Sequence, residues 1–225
     1  ASARPSGAAS VGPSVAAPSA VTASSGTKAS PMAWPGGVPV LVPPDLPTTG
    51  PGLDAPGAHV TFALDDDGRS FDSYEQLKRE APTTEPLFLT LPSLPRTPQP
   101  AVAGLQVELD GVAVTPAANP DGGWIVTSPG NKPYTTAVIR YKLTSATVVS
   151  RPGRGDSVVV ALSGQSASKI TFHTSDKRVI LMSCQLANSG EELDPSCQQV
   201  SGTDRSATID SSLRAAVSLS VDLPK

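Results

Sequence analysis

Gly164-Gln165-Ser166-Ala167-Ser168 follows a valine-rich run, Ser157 to Leu162, and places a serine where a nucleophile elbow would. That motif needs a glycine two residues after the serine and a helix next. Ser168 stands in the glycine's place, and Ile170 onward alternates like a strand. A serine nucleophile also needs an imidazole base. The chain has 2 histidines, His59 and His173, distant in sequence. Alternation of His173 with Ile170 and Phe172 turns its ring away from the core. No catalytic residue is assigned.

The acids read similarly. Asp65-Asp66-Asp67-Gly68 invites a calcium site, since hard cations collect oxygens from alternate loop positions. An EF-hand loop requires a glutamate six residues after the glycine, and Tyr74 is there instead. Asp65, Asp67 and Asp72 remain weak metal candidates, and the turn reads more simply as solvated. Two distant histidines and two cysteines do not make a zinc set. No cofactor is expected. Glycoside hydrolysis needs two facing carboxylates, and Glu75, Glu80, Glu85, Glu108, Glu191 and Glu192 are available. Glu75 and Glu80 fall in a predicted helix. A sugar cleft is usually lined by aromatics, and the chain holds 2 Trp, 3 Tyr and 4 Phe. For glycan contact Trp124 and Tyr134 are the candidates, Tyr141 being assigned to the core. Arg154-Gly155-Asp156 is an integrin-type tripeptide on a predicted turn, where glycine and aspartate belong anyway.

Cys184 and Cys197 are the only cysteines. In an exported protein they pair, and the short loop they close is worth about 3 kcal/mol. That places the chain outside the cell or on the surface of an envelope or virion. Net charge is −3 with no basic stripe, which excludes nucleic acid as main partner. No apolar run reaches the length of a membrane span.

Residues 1–57 carry eleven of the 24 prolines and four charged side chains, Arg4, Lys28, Asp45 and Asp54. Such a stretch has too few large apolar groups to offset its ordering entropy. It is expected to be an extended arm, its second half stiffened by proline. Trp34, Val40, Leu41 and Val42 sit in that half, and a pure spacer has no use for them. They suggest an arm that docks in a groove or along a sheet edge.

Residues 58–225 form the second unit. Strands are expected at 59–64, 87–91, 104–109, 112–115, 124–127, 134–143, 157–162, 170–174, 179–183 and 207–209. Asp110-Gly111 is a two-residue hairpin signal. Phe71, Tyr74 and Leu77 at spacing three predict a short helix over 73–80, capped by Asp72 or Ser73. The last strand is the cleanest, with Leu213, Ala215, Val217, Leu219, Val221 and Leu223 alternating with polar partners. Short strands separated by Gly, Pro and Asp turns favour an all-β, antiparallel β-sandwich with one short helix.

These features point to a non-enzymatic surface module, a subunit of an envelope, filament or virion. Its partners are other protein subunits, among them copies of itself. A secreted glycan-binding module and a polysaccharide-acting enzyme using two carboxylates are the alternatives.

Overall fold

The computed structural model describes residues 47–92, 99–185, 193–194, 197–210 and 216–224. Trp34, Val40, Leu41 and Val42 lie outside them. The strands among the described residues are β1 (Gly57–Leu64), β2 (Phe71–Thr83), β3 (Leu87–Leu89), β4 (Ala101–Leu109), β5 (Val112–Val114), β6 (Ala117–Ala118), β7 (Trp124–Val126) and β8 (Tyr134–Thr144). They continue with β9 (Thr147–Arg151), β10 (Arg154–Val160), β11 (Lys169–Thr174), β12 (Val179–Gln185), β13 (Leu193–Asp194), β14 (Gln198–Ser201), β15 (Asp204–Asp210) and β16 (Ala216–Asp222).

A large sheet runs β14-β15-β11-β1-β2-β8-β4-β5, and a second runs β13-β12-β16-β10-β9. Their inner residues belong to one core. In the large sheet, register aligns Val60, Glu75, Ile139 and Val107 in one row, and Phe62, Ser73 and Tyr141 in the next. Alternation thus sends Ala58, Val60, Phe62 and Leu64 inward and His59 and Thr61 outward. In the second sheet Val217, Leu219 and Val221 are buried, with Met182 beside Leu219 and Cys184 beside Val217. A small sheet, β3-β7-β6, adds Leu87, Leu89 and Val126 to the core. The mostly β sandwich read from the sequence is therefore the fold.

Three expectations are corrected. Residues 73–80 are not a helix. They belong to β2, paired antiparallel to β1 and β8. Phe71, Ser73, Glu75 and Leu77 face inward at period two, and the two polar members of that row hide the strand pattern. The pairing is also not wholly antiparallel, because β1 and β11 run parallel. No crossover helix is needed, since the chain between them passes through β2, β4, β5 and β8 of the large sheet and β9 and β10 of the second. Arg154-Gly155-Asp156 opens β10 rather than capping a turn, and Arg154 pairs with Asp222 at 3.1 Å.

Two turns set the frame. At Asp110-Gly111 both residues have positive φ, 45° and 77°, as the tight hairpin requires. Asp110 then anchors its neighbour by accepting the Thr135 and Thr136 amides. Gly52 has φ 80°, and a Cβ there would come within 2.4 Å of the Gln76 carbonyl and the His59 amide. Only glycine lets the 50–55 turn lie against the β1–β2 backbone.

Candidate functional site

Glu75 is the acid that sequence reading misplaced. It sits in an otherwise aliphatic row, fully buried. Oε1 accepts the Ser163 amide at 2.9 Å and also contacts the Ser163 hydroxyl. Oε2 accepts the Leu162 amide at 2.9 Å and lies 3.2 Å from Tyr141 Oη. The phenol has one proton, and its closer acceptor is the Val160 carbonyl at 2.6 Å. Burial pushes the Glu75 carboxyl up, against the donors from Ser163 and Leu162. Burial, and then Glu75, pushes the Tyr141 phenol well up. The arrangement ties β2 and β8 to the segment that follows β10. With no exposed surface, it presents no acid to a substrate.

The acidic turn is occupied by the protein's own donors. Lys142 Nζ lies 2.5 Å from Asp65 and 3.9 Å from Asp72. Asp67 accepts the Arg69 and Ser70 amides and the Ser70 hydroxyl. The Lys142 hydrogen bond holds the Asp65 carboxyl below its usual range, and burial raises that of Asp72. An ammonium thus stands among the three carboxylates named as weak metal candidates. Among the described residues, no three His, Cys, Asp or Glu side chains gather around a metal position.

The two aromatic candidates do not form a platform. Tyr134 is 1% exposed. Its hydroxyl donates to the Glu85 carbonyl at 3.0 Å and accepts from Arg79 at 2.9 Å. Trp124 is partly buried and packs against the core. The cysteines do what their spacing suggested: Cys184 and Cys197 form a disulfide.

Exposed valines mark the sheet edges, besides Phe88 of β3 and Leu181 of β12. β5 and β14 end the large sheet, and β9 ends the second. Val112 of β5 is 55% exposed, Val200 of β14 57%, and Val148 and Val149 of β9 46% and 57%. β9 pairs with β10 on one side, and nothing among the described residues pairs with it on the other. Edge strands are ordinarily guarded by charge, proline or a covering element. Through its first four residues β9 has none of these side chains.

His59 and His173, distant in sequence, meet on the outer face of the large sheet, with ring centroids 6.0 Å apart. His173 does face away from the core as alternation required, yet it is buried. Parallel pairing of β1 with β11 brings the two together, and no local pattern announces that pairing.

No protein-family model matches the sequence, and no curated protein does. Among solved structures, the chain is similar to an aminopeptidase N family protein from Idiomarina loihiensis, with TM-score 0.46 and 12% identity. The match covers 73% of this chain and 29% of that one. It is also similar to an M1 zinc metallopeptidase from Deinococcus radiodurans, with TM-score 0.34 and 13% identity, over 73% of this chain and 40% of that one. The chain spans less than half the length of either protein, and the likeness is weak and partial.

Proposed function

We propose that this chain is a non-enzymatic interaction module, a subunit of a surface assembly such as an envelope, filament or virion. It joins its neighbours through the open edge of β9. The observation that carries this reading is the pair of exposed valines, Val148 and Val149, on a terminal strand that has no outer partner among the described residues. Such an edge offers backbone donors and acceptors and apolar anchors to an added strand. The occupant we assign is Val38-Pro39-Val40-Leu41-Val42 of a second copy. Its valines recur at every second position, and the prolines around it pre-extend the backbone and lower the ordering cost. The Cys184–Cys197 disulfide supports export, since such bonds persist in oxidising compartments.

Sedimentation velocity of the full chain tests the proposal. The expected result is a concentration-dependent oligomer that becomes monomeric in the Val148→Lys, Val149→Lys double variant with its far-UV circular dichroism intact. A wild type that stays monomeric at every concentration, or an oligomer indifferent to the two lysines, overturns it.

A further inference from the structure

The outer face of the large sheet gathers buried polar atoms that have no partner. His59 of β1 lies in register with Gln76 of β2 and Thr171 of β11, and Thr61 lies in register with His173. Both ring nitrogens of His59, Nδ1 of His173, Oγ1 of Thr61 and Oε1 of Gln76 are buried and make no hydrogen bond. Buried polar atoms are normally paired, and each orphan costs about 1–3 kcal/mol. Several orphans on neighbouring strands, each side chain with one lone pair to offer, describe a site that a shared cation would satisfy.

The chemistry of the donors narrows the ligand. Neither His59 ring nitrogen has a hydrogen-bond partner, so nothing in the protein takes up the lone pair of that ring. His173 Nε2 faces the Asp204 carboxylate at 3.8 Å. At that distance the carboxylate makes no hydrogen bond to the ring, and its charge favours the tautomer with the proton on Nε2 and the lone pair on Nδ1. An ion about 2.1 Å from one nitrogen of each ring would set the ring centroids roughly 5–6 Å apart. They are 6.0 Å apart. The cations along this face each have a partner of their own: Arg140 pairs with Glu108 at 2.7 Å, Lys142 with Asp65 at 2.5 Å, and Lys78 donates to the Asp54 carbonyl at 2.8 Å.

We propose that His59 and His173 bind a late first-row divalent cation, such as Zn²⁺ or Co²⁺, with Gln76 Oε1 and Thr61 Oγ1 as oxygen donors. Imidazole with neutral oxygen suits that class better than calcium or magnesium, which want several carboxylates. Asp204 acts on the His173 ring through its charge, from beyond hydrogen-bond reach.

The test titrates the full chain with Co²⁺, read by visible d–d absorption, and with Zn²⁺, read by histidine ring nitrogen shifts. The expected outcome is saturation at one ion per chain, with ring shifts at His59 and His173. His59→Gln should abolish the Co²⁺ spectrum, and Asp204→Asn should weaken binding. Absence of saturable binding, or a Co²⁺ spectrum unchanged in folded His59→Gln and His173→Gln, overturns the proposal. If those variants fail to fold, wild-type ring resonances unmoved by Zn²⁺ overturn it equally. The site lies on a different sheet from the β9 edge, so the two proposals fail independently.

Discussion

Glu75 holds a row position whose neighbours in register are Val60 and Ile139, so its carboxyl exchanges water for backbone amides. Its pKa is raised in the folded chain. The stabilising contribution is therefore fully present below the unfolded value near 4.5 and is lost as pH rises through the folded one. The ionised carboxylate is the form that burial disfavours, and the Leu162 and Ser163 donors offset part of that cost. Replacing Glu75 by Ala strands both amides in the core and opens a cavity, and should cost about 3–5 kcal/mol. Glu75→Gln keeps one acceptor and should cost less. Urea unfolding at pH 7 and pH 4.5 checks both points: wild type should gain on the Gln variant as pH falls. Equal losses for Ala and Gln would mean the amides do not depend on this side chain. None of this was legible in the sequence. Phe71, Tyr74 and Leu77 fit a helix at spacing three, while the true inward row is interrupted by Ser73 and Glu75.

Strands with an uninterrupted row were readable. In β16 the alternation of Val217, Leu219 and Val221 survives into the structure as buried side chains. Leu219→Ala should accordingly cost about 2–5 kcal/mol in thermal or urea unfolding. A loss within the range of a surface substitution would mean the inward face is wrongly assigned. The adjoining disulfide acts on the unfolded chain, and converting Cys184 and Cys197 to Ser should cost about 3 kcal/mol more. What the strands do not encode locally is their partner. The parallel register of β1 with β11 depends on how two sheets close around one core, and it alone places His59 near His173. The disulfide was readable because two cysteines allow one pairing. The histidine pair was not, because two histidines far apart carry no such constraint.

For the whole molecule, the question is what protects a sandwich that leaves valines at its sheet ends. Val112, Val148, Val149 and Val200 are each about half exposed, and a net charge of −3 gives modest repulsion between copies. Left uncovered, such edges invite indiscriminate pairing. The proposed remedy is the chain's own proline-rich segment, supplied by a neighbour. Trp34 reports on it directly, since the sequence holds 2 tryptophans and Trp124→Phe leaves Trp34 as the single emitter. In that background the assembled protein should emit to the blue of a free tryptophan peptide, with reduced quenching by iodide. Deleting residues 1–46 should abolish the oligomer seen in sedimentation. It should also leave a domain that adheres through β9 and is made soluble again by Val148→Lys and Val149→Lys. The two outcomes are linked, because one edge is either filled by the segment or left to aggregate. A Trp34 quenched as freely in the assembled protein as in a short peptide would reduce the segment to a tether, and would leave the exposed valines of β9 to be matched by a different partner.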